Sequence, residues 1–251
     1  MAWKILRYSL FSILGFFLLA IFAVLFAKVN PQQQLGPPET VAPRLLDSAY
    51  YAPRIDSLIA VWGSKKELPE GYELQTLLAL SYFPELKEAN IKISYLPATL
   101  PMASRPYFWT MFRPREQWTF QVLLSSESTE KFEPILLNKL PFNAQTGIIA
   151  HELSHTAYYQ NLGFWQLLKF GILYVIDQDF RRIHERSTDE QAIHHGFGWQ
   201  LYDYAHFIRN NIPAVSSYNS SGHDNYMDRF YLSDEEVLER MEAFQHECFY
   251  E

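Results

Sequence analysis

The apolar positions of this chain fall into one long block and a series of shorter, periodic ones. The long block is residues 8–27, YSLFSILGFFLLAIFAVLFA, twenty residues without a charge. About 20 apolar residues match the hydrocarbon thickness of a bilayer. The block therefore predicts an N-terminal membrane anchor over 1–28, with a cleaved signal peptide as the alternative. Lys4 and Arg7 precede it and Lys28 follows. That bias points to a single-pass protein with a cytoplasmic N-terminus and the rest on the periplasmic or extracytoplasmic side. The bilayer is then a partner through 8–27. Residues 29–43, VNPQQQLGPPETVAP, hold four prolines and three glutamines, the composition of an extended linker. The folded domain is expected over 44–251.

Within 44–251 the periods change along the chain. Residues 44–62 read as a helix in two pieces, broken at Pro53, and 72–90 as a helix interrupted near Pro84. Ile91–Leu96 is a candidate strand. Tyr107–Phe112 and Gln117–Leu124 flank Pro114 like a hairpin. In the second arm Trp118, Phe120, Val122 and Leu124 alternate with Thr119 and Gln121, the period of a half-buried strand. It is either an edge where an extended peptide can add as a further strand or an ordinary covered strand, and the pattern does not separate the two.

Ile148, Ile149, Leu153 and Ala157 make the apolar side of a buried helix, with Asn143 or Thr146 to cap it and Gly163 to stop it. The stretch 162–176, LGFWQLLKFGILYVI, is fifteen residues and contains Lys169. It is short for a span, so a core helix is expected, a membrane-dipping element being the alternative. Residues 179–209 predict a long helix with Gly196 and Gly198 as weak points. Ser233 and Glu236 have capping-box spacing at the start of a closing helix, 233–247. The fold class is α+β, mainly helical, with a small sheet before the 147–159 helix.

Composition narrows the partners. With 251 residues and 48% hydrophobic content the chain can bury one sizeable core. The net charge is −7, and because 1–28 carries only Lys4, Arg7 and Lys28, the remainder carries −10. An acidic domain repels phosphate backbones, so nucleic acid is excluded as a partner. The single cysteine, Cys248, cannot close an internal disulfide.

The chemistry sits on the 147–159 helix. Residues 151–155 read His151-Glu152-Leu153-Ser154-His155. Positions i and i+4 share a helical face, so both imidazoles can bind one zinc ion, and Glu152 is close enough to take a proton from a water held there. Catalytic zinc needs a third protein ligand and an open position. The three-histidine extension requires Gly and His where Tyr158 and Asn161 stand, so it is excluded. Glu185 and Asp189, four apart in 181–195, supply the other extension. Glu185 completes the ligand set, and Asp189 can accept the free N–H of a ligand histidine.

On these residues the chain resembles the gluzincins, zinc peptidases with a His-Glu-x-x-His helix and a later Glu-x-x-x-Asp helix. Ile149–His155 and Glu185–Asp189 are similar to the membrane-associated group of HtpX-like and CaaX-prenyl-protease-like enzymes. The likeness covers about 45 residues, 147–190. It implies a zincin-like fold, one zinc per chain on His151, His155 and Glu185, Glu152 as base, Asp189 behind the ligands, and a polypeptide substrate close to a membrane. It also implies a His or Tyr that stabilises the oxyanion. His194, His195, His206, His223, Tyr226 and Tyr231 are the candidates, and His223, in the loop-like 220–226 stretch, is the first choice. His195, ten residues after Glu185, is a candidate for contact behind the ligands. Two readings compete with a peptidase. One is a zinc-binding, non-proteolytic adaptor or sensor of the envelope on a zincin scaffold. The other is a structural envelope protein with an accidental motif.

Overall fold

A computed structural model describes residues 15, 18–32, 40–130, 132–211 and 226–250. The first half supplies α1 (Ile55–Trp62), β1 (Lys66–Glu67), α2 (Glu73–Leu80), β2 (Asn90–Leu96), β3 (Met102–Pro106) and β4 (Thr119–Ser125). The second half supplies α3 (Phe142–Tyr159), α4 (Phe164–Ile176), α5 (Gln178–Ala192), α6 (Gly198–Asn211), a short turn of helix at Tyr226–Phe230, and α7 (Asp234–Tyr250). The class is α+β, as the periodicities predict.

The sheet has the order β1-β2-β4-β3. β2 runs parallel to both β1 and β4, with Ile93 opposite Val122, while β3 pairs antiparallel to β4, with Ser104 opposite Val122. The hairpin thus uses Met102–Pro106, not the expected 107–112. Phe108–Phe112 forms a 3-10 turn that leaves Phe108, Trp109 and Phe112 exposed. β4 is paired on both sides, so it is the covered strand of the two alternatives and not a free edge. β3 and the two-residue β1 are the end strands.

Helix α3 is the centre of the fold. Sixteen of its eighteen residues are buried, so it has no solvent face. A helix apolar or enclosed all round belongs in the interior. Ile149 and Leu153 join Leu80, Ile93, Val122 and Leu124 in the main core. The expected caps do other work. Pro141 stands at the N-cap, while Asn143 reaches across to accept from Leu46 N at 3.1 Å and donate to Arg44 O at 3.1 Å. On one side α3 meets α6 at backbone distance, because a Cβ on Gly147 would lie 2.3 Å from Gln200 O. Gly147→Ala is therefore expected to overpack this crossing and cost about 1–3 kcal/mol. Urea unfolding checks it, and a midpoint equal to wild type would show that the two helices can separate freely.

Helix α4 buries Leu167 and Phe170 against Trp118, Phe120, Tyr158 and Phe180, with Val175 and Ile176 exposed. Only Leu167 and Phe170 of its thirteen residues are buried, so it is a surface helix packed on the domain by one face and not the expected core helix. Between α5 and α6 a wide turn at Ile193–Phe197 is made by Gly196 at φ +87°, where a Cβ would meet Thr40 O at 2.3 Å. Gly196 O accepts from Ala42 N at 3.0 Å, and Gln200 Nε2 donates to Pro43 O at 2.8 Å. Residues 25–31 are likewise docked: Lys169 Nζ donates to Leu25 O (2.9 Å) and Ala27 O (2.8 Å), Gln166 Nε2 to Lys28 O (2.9 Å), and Tyr158 OH to Asn30 O (2.6 Å). The capping box at α7 forms as expected, with Ser233 N donating to Glu236 Oε2 at 2.9 Å and Glu236 N to Ser233 Oγ at 3.0 Å.

The membrane anchor does not stand. Among the described residues no helix is long and apolar enough to cross a membrane. Of the 8–27 run, residues 15 and 18–26 are helical, and 8–14, 16 and 17 lie outside the described residues. The single-pass topology and the extracytoplasmic placement, both inferred from that run, are withdrawn with it. Nor does α4 replace it, at thirteen residues.

Candidate metal centre

Helix α3 delivers His151, Glu152 and His155 to one place, and α5, packed alongside, delivers His184, Glu185, Thr188 and Asp189. All but Glu152 and His155 are 3% exposed or less, and those two are at 5%. His151 Nε2 and His155 Nε2 each lie 3.4 Å from Glu185 Oε2. The three ligand atoms fall within 4.8 Å of one another. Two ligands about 2.05 Å from a tetrahedral ion stand about 3.3 Å apart. The two distances to Glu185 match that spacing, and the three residues together can hold a metal ion.

Each imidazole is oriented from behind. His151 Nδ1–H donates to Asp189 Oδ1 at 2.8 Å, and the other Asp189 oxygen accepts from Leu232 N at 2.8 Å. His155 Nδ1 lies 3.0 Å from His184 Nε2 and 3.3 Å from Thr188 Oγ1. Tyr174 OH, on α4, donates to Glu185 Oε1 and leaves Oε2 for the histidines. Such partners fix ligand rotamers and tautomers.

The charges are set by burial and by one another. Burial opposes charge on His151, yet Asp189 and Glu185 outweigh it and raise the imidazole well above its ordinary value. Burial also opposes the Glu185 carboxylate, but His155 and His151 hold it well below the usual range. Glu185 is thus an anion made to face cations. Glu152 differs. Burial raises its carboxyl, only partly offset by His155 and His151, and its Oε2 is buried without a hydrogen-bond partner. This buried acceptor is thus left open beside the three convergent residues. Burial, and then the neighbouring His155, push His184 down to about 3, which keeps it neutral.

A cleft of about 130 Å³ opens at this point, bordered by Met102, Ile148, Tyr204 and Tyr231, with His151 and Glu152 in its wall. The Tyr231 ring lies 5.8 Å from that of His151. His195 is held elsewhere: it stacks on Phe83 at 3.9 Å, donates from Nδ1 to Gln191 O at 2.8 Å, and meets Glu85 at 2.8 Å. The wide turn at 193–197 breaks the helical phase by which it was placed near Glu185. His206 pairs with Asp234 at 2.8 Å. His223 lies outside the described residues. The sequence reading missed His184, Thr188 and Tyr174. The first two flank Glu185 at i−1 and i+3 on one helix, a spacing that could have flagged them.

Comparisons of the chain with protein-family models, with curated proteins and with solved structures find no match.

Proposed function

We propose that this chain is a zinc-dependent metallopeptidase of the gluzincin type on a zincin-like fold, akin to the HtpX-like and CaaX-prenyl-protease-like peptidases in its two site motifs. The observation that carries the reading is the convergence of His151, His155 and Glu185 beside the unpartnered carboxylate of Glu152. Zinc bound there supplies a Lewis acid and a water of lowered pKa. Glu152 accepts the proton of the attacking water and passes it to the leaving amine. Asp189 steadies the charge on His151. The substrate is a polypeptide, and β3 is the strand it can extend. One side of β3 is taken by β4, and Met102, at its start, borders the cleft.

Tyr231 is the donor best placed for the developing oxyanion, because it borders the cleft beside His151. Tyr231→Phe is expected to lower kcat on the order of 10²-fold with zinc retained. Unchanged turnover would assign that role to another group.

The reading is tested with the full chain, a reduced unfolded polypeptide as substrate, and a chelator. Cleavage should stop on chelation and return with one equivalent of zinc. Wild-type chain that holds zinc and leaves the polypeptide intact would support a non-cleaving zinc adaptor instead.

A further inference from the structure

The two ligand histidines are backed in different ways. Behind His151 stands a carboxylate. Behind His155 stands another histidine, and that histidine reaches the segment preceding the domain. His184 Nε2 lies 3.0 Å from His155 Nδ1, and His184 Nδ1 lies 3.4 Å from Pro31 O. A backbone carbonyl can only accept. His184 therefore carries a proton on Nδ1. With His184 Nε2 as the acceptor of the pair, His155 donates from Nδ1, which leaves its Nε2 as the atom that faces Glu185. Thr188 gives the same answer independently. Its hydroxyl is spent on His184 O at 2.8 Å, so toward His155 Nδ1 it also acts as an acceptor.

The far end of this relay is not loose. Residues 25–31 form a strap whose carbonyls are gripped by side chains of α3 and α4: Tyr158 on Asn30 O, Gln166 on Lys28 O, and Lys169 on Leu25 O and Ala27 O. Val29 packs into the apolar cluster beneath α4. The acceptors are all backbone, so the grip fixes where the strap's carbonyls lie, Pro31 O among them.

We propose that His184 is the positioning residue of His155, and that the strap at 25–31, through Pro31 O, sets which nitrogen of His155 faces the metal. This rests on His155 being a metal ligand, as proposed above. It goes beyond that reading by making metal affinity depend on a segment outside the catalytic helices. Lifting the strap removes the acceptor for His184 Nδ1–H, frees His184 to switch tautomer, and lets His155 turn a protonated Nε2 toward Glu185.

The test reads the metal-free chain first. In full-length protein labelled with 15N-histidine, long-range 15N–1H spectra report which ring nitrogen carries each proton. Wild type should show His155 protonated at Nδ1. His184→Phe, which keeps the ring but loses both hydrogen bonds, should gain an Nε2-protonated population at His155. Its zinc Kd, from chelator competition, should rise about 10- to 100-fold. Tyr158→Phe, which removes only the hydroxyl that holds Asn30 O and keeps the ring packed 4.8 Å from that of His184, should shift both readouts in the same direction by less. His184→Asn, whose amide can donate and accept, should recover most of the affinity. Wild-type His155 protonated at Nε2 would overturn the proposal. So would Kd values for both Phe variants within about twofold of wild type. If His184→Phe fails to fold, the wild-type spectra and Tyr158→Phe still decide. Wild-type chain that binds no zinc would sink the metallopeptidase reading, while the metal-free spectra judge the relay alone.

Discussion

Glu152→Gln is expected to stop cleavage while leaving one zinc per chain in place. The substitution keeps the shape of the side chain and removes only its ability to take a proton. Loss of a positioned general base costs on the order of 10²–10⁴ in rate. The fold should survive, because burial already favours the neutral form of this carboxyl and an amide resembles that form. The ligand atoms on His151, His155 and Glu185 are untouched. Two measurements on one preparation check it: turnover of an unfolded polypeptide, and zinc content by elemental analysis. Wild-type turnover would remove Glu152 from the mechanism. Zinc lost along with activity would make it a structural residue of the site.

Glu185→Ala is expected to give the largest loss of metal. It removes the one anion that both ligand histidines face at 3.4 Å. Two imidazoles without a carboxylate leave zinc short of the three protein ligands a catalytic site uses. The change should also be visible as stability. A ligand at 1,000 times its Kd adds about 4.1 kcal/mol to the folded state. For a domain of this size that is roughly 8–16 °C in Tm. Adding zinc should therefore raise the Tm of wild type by that amount and leave Glu185→Ala unmoved. Equal zinc-induced shifts in the two proteins would show that the metal sits elsewhere.

The parts of this fold legible in sequence are those written in local spacing. His151 and His155 at i, i+4, Glu185 and Asp189 at the same interval, and Ser233 with Glu236 at a helix start each need only a helix to bring them together. All three pairs are found as spaced, and Asp189 does meet His151. What local pattern could not give is which segments become neighbours. The stretches flanking Pro114 suggest a hairpin arm at 107–112, whereas the strand is 102–106, MASRP, half-exposed at the sheet end and closed by a proline. An end strand buries little, so its pattern carries little signal. Ten residues of regular helix after Glu185 would bring His195 back to its face, but the wide turn that begins at Ile193 shifts that phase. His184 stands next to Glu185 in sequence, which marks it as a neighbour of the site but does not say what it contacts. Its role depends on a carbonyl 153 positions away in sequence.

The carboxylate of Asp189 is divided between two tasks, with one oxygen on His151 and the other on Leu232 N at the threshold of α7. Arg186 extends the link to Tyr231 O and Glu236. The centre and the C-terminal helix are thus expected to open as one cooperative unit, although α7 contributes no ligand among the described residues. Removing the metal should accelerate amide hydrogen exchange at Leu232 and along the first turns of α7 more than at β2 or β4, a pattern mass spectrometry can read directly. Uniform acceleration would mean that the metal braces the whole domain evenly. The selective pattern would mean that its loss is felt first at the end of the chain.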